Sequence, residues 1–187
     1  PDQQNQLILQ YDGGIAYMDS QLALLLARLK ELRLFDNTMI IIASDHGEAF
    51  GEHGLMQHGV SVYQDQVHIP LIIKFPHQTN PRVVKTPVSQ IDVMPTVLGV
   101  VGFEAPKLVQ GEDLRAPQDS ARRFLVSESF CWVDKFNHRI ERVERALFSE
   151  RMKFVTSTTG KRELYDLSLD PQELHDLSGK DGAEAGV

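Results

Sequence analysis

The stretch MIIIASDHGEAFGEHGLMQHG, Met39 to Gly59, decides how the rest of the chain is read. Its opening run, Met39 to Ala43, is apolar, rich in isoleucine and shows no alternation, as expected of a strand covered on both faces. Ser44, Asp45, His46, Gly47 and Glu48 follow at once. Neighbouring side chains on a strand point to opposite faces, so Asp45 and His46 can converge on one ion only where the backbone is leaving the strand. Gly47 permits that departure. The carboxyl end of a strand in an open α/β sheet is also where ligands collect.

Upstream, Tyr11, Ile15, Met18, Leu22, Leu25, Leu29 and Leu32 recur at steps of four and three, one stripe of an amphipathic helix whose charged residues lie largely off the stripe. Gly13-Gly14 marks a kink in that helix or its true beginning. The expectation is that the stripe packs on the sheet. A short FDNT turn leads into the Met39 strand, and a helix feeding a buried strand is the pattern of an α/β fold.

Downstream, Ile69 to Phe75 is a second strand of the same sheet, bounded by prolines. Residues 81–89 form a connector or edge strand, and Ile91 to Val101 a short helix with Asp92 near its start and Gly102 at its stop. Then come short alternating segments, Arg123 to Phe130, Arg145 to Glu150, Met152 to Ser157 and Glu163 to Leu167, with TTGK at Thr158 to Lys161 as a hairpin turn. The expected organisation is an α/β region over 1–103, a connecting loop over 104–122, a small antiparallel β subdomain over 123–178 and a mobile tail over 179–187.

With 187 residues the chain can bury one sizeable core. A hydrophobic fraction of 42% and a charged fraction of 24% are ordinary for a globular fold, and a net charge of -7 argues against a nucleic-acid partner. Cys131 is the single cysteine, so no intrachain disulfide forms, and redox chemistry does not reveal the compartment. No apolar run approaches the ~20 residues of a membrane span, and the N-terminus lacks a basic-then-apolar signal pattern.

The chemistry concentrates around Asp45. A carboxylate beside an imidazole supplies two metal ligands of an incomplete set, and equally describes a surface Asp-His turn. Glu48 and Glu52 read as solvated loop charges. His53 and His58 are both followed by glycine, in backbone free to bring them to a cleft. Three histidines within thirteen positions, beyond a buried strand and an aspartate, form a candidate site.

From Asp36 to Pro76, DNTMIIIASDHGEAFGEHGLMQHGVSVYQDQVHIPLIIKFP resembles the C-terminal part of the sulfatase family, within the alkaline phosphatase superfamily of metal-dependent phosphate and sulfate ester enzymes. YDGGIAYMDSQLALLLARLKEL upstream, VSQIDVMPTVLGVVG downstream and the closing ELYDLSLDPQELHDL extend the likeness over Tyr11 to Leu177. The resemblance implies a sulfatase-like sheet flanked by helices, present in part, with the small C-terminal antiparallel sheet. It implies that Asp45 and His46 are metal ligands, and that His58 is catalytic, contacting the ester or leaving-group oxygens. His53 would line the substrate site. His68 stands where many relatives carry arginine and reads as structural, while His77, His138 and His175 match no site motif and are expected to be exposed.

The family's nucleophile, a formylglycine made from Cys or Ser in a C/S-x-P-x-R motif or a Thr or Ser in phosphotransfer relatives, has no match here, nor do its first metal carboxylates. Cys131 is followed by Trp132-Val133-Asp134 and is not that nucleophile. The expectation is therefore a fragment of a sulfatase-like hydrolase of sulfate esters, inactive alone, holding a divalent ion weakly. Ca²⁺ is the favoured ion, with Zn²⁺ and Mn²⁺ compatible with an imidazole ligand. The substrate of the whole enzyme would be a sulfate or phosphate ester, small molecule or glycan. A phosphoester or phosphonate ester hydrolase, or a phosphoethanolamine-type transferase, is the rival on the same scaffold, and a non-catalytic binding module the rival from another class. Apolar surface left open in such a fragment would favour self-association.

Overall fold

A computed structural model describes residues 2–116, 124–134 and 139–179. The expected loop residues from 117 onward, the tail from 180 onward and His138 lie outside them. The described chain divides into two compact units, one holding the residues up to His58 together with Asp65–Pro81, the other Gly59–Gln64 together with the residues from Arg82 onward.

The first unit begins with α1, Asp2–Glu31. The helix passes through Gly13 and Gly14 and starts well before them, so the glycines mark no beginning. Helix propagation is cooperative, and two glycines costing about 1 kcal/mol each are tolerated inside thirty helical residues. After a turn come β1, Ile40–Ala43, and, further on, β4, Leu71–Lys74. They pair antiparallel, with Ile40 opposite Lys74 and Ala43 opposite Leu71, so the two expected strands share one sheet. Lys74 staples the turn before β1: its Nζ donates to the carbonyls of Phe35, Asp36 and Thr38 at 2.5, 2.9 and 3.0 Å and lies 4.8 Å from the Phe35 ring centroid.

Two expectations are corrected here. The isoleucines of β1 are half-buried, not covered on both faces, because among the described residues no layer is broad enough to cover both faces of the β1–β4 pair. The helical stripe is not buried on that sheet either: Tyr11, Ile15, Met18, Leu25 and Leu32 remain exposed, and only Leu22 and Leu29 are half-covered. Length explains it, since α1 runs about 45 Å and each four-residue strand only about 13 Å. Tyr11 instead meets Phe50 edge to face at 5.2 Å, and the Gln4 side-chain amide donates to the Phe50 carbonyl.

Phe50 belongs to a small hairpin, β2, Ala49–Phe50, paired with β3, Met56–Gln57. A helical turn at Glu52–Gly54 joins them, with Gly51, His53 and Gly54 all at positive φ. The short helix α2, Gln64–Val67, precedes β4.

The second unit holds α3, Val93–Val100, preceded by a turn at Gln90–Asp92. Ser89 and Asp92 form a reciprocal capping box, with Ser89 N–H donating to Asp92 Oδ2 at 2.7 Å. Gly102, at φ 85°, ends the helix as its sequence position predicts. The antiparallel sheet follows in the order β5 (Phe124–Asp134), β6 (Arg139–Ser149), β7 (Met152–Ser157) and β8 (Arg162–Asp166). Thr158 to Lys161 makes the expected hairpin, Gly160 sitting at φ 85°. β6 begins earlier than its apolar residues suggest, because Glu144 and Arg145 pair with both neighbours while Arg142 and Val143 continue the ladder with β5.

The core of this sheet is Ala146, Val155, Leu164 and Tyr165, joined by Val62 and Tyr63. The segment Gly59–Gln64 is held by polar groups of the sheet. Ser129 Oγ donates to Gly59 O at 3.1 Å, Arg142 to Val60 O at 2.8 Å, and Lys153 Nζ to Val62 O at 2.6 Å. Tyr63 Oη lies 3.0 Å from both Glu163 carboxylate oxygens, and Lys161 Nζ donates to Tyr63 Oη at 2.8 Å. Burial pushes the Tyr63 hydroxyl above its ordinary range, and the Glu163 charge adds to this against Lys161. Among the described residues no helix is long and apolar enough to cross a membrane.

Candidate active site

β1 ends at Ala43, and the chain turns through Ser44 and Asp45 rather than continuing as a strand. Ser44 Oγ donates to His46 O at 2.6 Å, and the His46 N–H donates to Asp45 Oδ1 at 3.1 Å. Gly47 allows the bend by close approach: its N–H donates to Gln66 O at 2.8 Å, and a Cβ there would lie 2.0 Å from Asp65 O. The bend turns the His46 ring toward the hairpin, where it stacks on His58 with centroids 4.0 Å apart and planes 23° apart.

Each ring has its Nδ1 occupied. His46 Nδ1 lies 2.7 Å from Gly47 O, and His58 Nδ1 lies 2.7 Å from Glu48 Oε2. A carbonyl oxygen only accepts, so His46 carries its proton on Nδ1 and keeps the Nε2 lone pair for a ligand. Asp45 Oδ2 stands 3.6 Å from that Nε2, close to the roughly 3.4 Å separating two donors on one tetrahedral ion. His46, Glu48 and His58 each offer a donor atom within 4.8 Å of the others. The Asp45 carboxylate and the His46 imidazole are donors that suit a divalent ion, and a carbonyl such as that of Gly47 holding the other ring nitrogen is how metal sites fix the tautomer of a ligand imidazole.

Among the expected site residues, His46 and His58 come together at the end of β1, while Asp45, largely exposed, stands 3.6 Å from His46 Nε2 and outside the trio of His46, Glu48 and His58. His53 does not join the trio of His46, Glu48 and His58. It sits in the Glu52–Gly54 turn at φ 53°. His68, His77 and His175 are exposed, His175 lying 3.6 Å from Asp170.

Glu48 corrects the reading of it as a solvated charge. Its side chain is 20% exposed, against 87% for Asp45, and it holds His58. The hairpin explains why: Ala49 pairs with Gln57 and Phe50 with Met56, so the same register places Glu48 opposite His58. A glycine-rich turn flanked by residues 48 and 58 was the available signal, but strands of two residues leave no periodicity in a sequence.

A sulfatase family model matches residues 1–103, more than half of the chain. The chain belongs to the sulfatase family. The chain is 37% identical over 144 residues to the uncharacterized sulfatase YidJ of Escherichia coli strain K12, covering 76% of this chain and 28% of that protein. It is 29% identical to arylsulfatase K of Xenopus laevis, covering 91% of this chain and 33% of the relative. Its fold matches the phosphonate monoester hydrolase of Silicibacter pomeroyi with a TM-score of 0.74 and 30% identity, over 89% of this chain and 36% of that one. A protein solved with its substrate D-glucosamine-2-N,6-O-disulfate matches at a TM-score of 0.72 and 26% identity, over 89% and 35%. The chain thus spans about a third or less of the curated relatives it matches.

Proposed function

We propose that the chain is the later part of the catalytic domain of a metal-dependent hydrolase of sulfate esters, with Asp45 and His46 as ligands to a divalent ion and His58 as the acid at the leaving group. The observation that carries this reading is the packing of His58 on His46 at 4.0 Å beside Asp45. A bound divalent ion would draw charge from the ester oxygens and lower the pKa of a nucleophile. His58 is within one ring's thickness of the ligand imidazole, and its Nε2 is the nitrogen left to meet an ester or departing oxygen. His53, outside the trio, would line the approach to the site. The nucleophile and the remaining ligands would come from the part of the domain beyond this chain, so the chain alone turns over no ester and binds divalent metal weakly. Ca²⁺ is the favoured ion, with Zn²⁺ and Mn²⁺ as alternatives that the imidazoles would suit. The exposed stripe on α1 supports self-association of the isolated chain.

Two full-length variants test the division of labour. Asp45→Ala should lose both metal and aryl sulfate turnover. His58→Ala should keep its metal and lose kcat. Metal loss from His58→Ala, or normal turnover by Asp45→Ala, would sink the assignment. The likeness to a phosphonate monoester hydrolase supports a second reading, phosphonate or phosphate ester hydrolysis on the same residues. Comparing kcat/KM for aryl sulfate with that for an aryl phosphonate monoester decides between them.

A further inference from the structure

The geometry points to Glu48 as the positioning residue of His58, one that fixes which ring nitrogen meets the substrate and does not ligate the ion. The pair could be read as two ligands, because Glu48 belongs to the group whose donor atoms lie within 4.8 Å of one another. The contact itself argues otherwise. Glu48 Oε2 lies 2.7 Å from His58 Nδ1, a charge-assisted hydrogen bond in length. An ionised carboxylate has no proton to give, so Nδ1 carries it and is closed to a metal.

The ring is fixed from two directions. Stacking on His46, with planes 23° apart, sets the plane of the His58 imidazole. The Glu48 hydrogen bond sets its rotation within that plane and leaves Nε2 to face the substrate: as an imidazolium the ring gives its Nε2 proton to the departing oxygen, and the neutral ring that results keeps its proton on Nδ1. Glu48 is itself restrained, lying next to β2 in the register that places it opposite His58, with its side chain largely withdrawn from solvent. A carboxylate that orients an imidazole recurs in metal sites and in catalytic triads, and its removal commonly costs tenfold or more. The role given to His58 rests on the hydrolase reading above, whereas the tautomer does not.

The test is a long-range ¹H–¹⁵N spectrum of the labelled, metal-free chain at about pH 8, above the usual imidazole range, with the His58 ring assigned by its loss in His58→Gln. The unsubstituted chain should show the Nδ1–H tautomer. Glu48→Gln, whose amide oxygen still accepts, should keep it, and Glu48→Leu should lose it to the Nε2–H form. A dominant Nε2–H form in the unsubstituted chain overturns the assignment whatever the variants do, as does Nδ1–H persisting in a folded Glu48→Leu chain. In the full-length enzyme Glu48→Leu should lower kcat about tenfold or more with metal content unchanged, and Glu48→Gln should recover most of it. The expected tautomers beside an unchanged kcat would support the Glu48 assignment and overturn the acid role of His58 instead.

Discussion

Lys153 and Glu173 form an ion pair 2.5 Å long in which neither side chain reaches solvent. Both also hold the segment that follows His58 in sequence. Lys153 donates to Val62 O at 2.6 Å, and the Gln64 N–H donates to Glu173 Oε2 at 2.6 Å. The Lys153 ammonium further lies 5.2 Å from the Phe148 ring centroid. A buried pair of this kind adds little over an apolar replacement of both partners, but losing one partner strands a charge. Lys153→Met should therefore destabilise the chain by about 3–5 kcal/mol in urea unfolding. The double variant Lys153→Met with Glu173→Leu should lose less than the single one. Amide exchange at Gln64 should quicken in either. A loss below about 1 kcal/mol in Lys153→Met would show that the pair is not the constraint the geometry describes.

The end of β8 and the turns after it carry carboxylates that are held ionised. The Ser168 hydroxyl, 2.6 Å from Asp166 Oδ1, pulls that carboxyl below its ordinary range, with the Ser168 N–H and Arg151 acting the same way against burial. Burial opposes ionisation of Asp176, yet the N–H groups of Ser178 and Leu164 outweigh it. A carboxylate with a depressed folded pKa adds stability that is complete above its unfolded value and is lost as pH falls toward the folded one. Stability should accordingly hold above about pH 5 and drop below about pH 4. Asp166→Asn should make that acid decline shallower, as read from urea midpoints across the acid range. An unchanged slope would mean that Asp166 is not linked to folding.

How far the sequence reaches is clear from particular elements. The isoleucine run, the proline-bounded second strand and the hairpin at Thr158 to Lys161 declare themselves because residue type, periodicity and turn chemistry agree there. The pairing of β1 with β4 and the separate C-terminal sheet follow. Asp45, His46 and His58 were legible as residue types at a strand end. The stacking of the two imidazoles and the hold of Glu48 on His58 were not, because both depend on a hairpin of two-residue strands set by positive-φ residues at 51, 53 and 54. The α1 stripe was legible as a pattern, but a pattern does not say how much surface exists to cover it.

Asp65 titrates in the opposite sense. Both its carboxylate oxygens are buried and make no well-formed hydrogen bond, and this burial raises its pKa, with Glu52 adding and His53 and Gln66 opposing. A group with a raised folded pKa stabilises the fold below its unfolded value, and that contribution is lost as pH rises through the folded one. At neutral pH the charged form is a liability. Asp65→Asn should raise the unfolding midpoint at about pH 7 and give no gain at about pH 3. A gain of the same size at both pH values would trace the effect to packing and not to charge.

Gly47 and Gly13 should answer the same substitution with opposite signs. At Gly47 a Cβ would lie 2.0 Å from Asp65 O and 3.1 Å from Gln66 Cα, which are backbone atoms that a rotamer change cannot clear. The bend must open, and with it the Gly47 N–H bond to Gln66 O and the Gly47 carbonyl that holds His46 Nδ1. Gly47→Ala should cost about 1–3 kcal/mol, as overpacking does, and should release the His46 ring to its other tautomer. At Gly13, inside α1, a Cβ meets nothing within 4 Å. Gly13→Ala should stabilise the chain by about 0.5–1 kcal/mol and leave both His46 and His58 ring signals unmoved. Urea unfolding gives the two signs, and the imidazole ¹⁵N shifts show whether the cost at Gly47 falls on the site. If Gly47→Ala destabilised the chain while the His46 ring kept its Nδ1 proton, the close approach at Gly47 would serve the fold alone and would not orient the His46 ring.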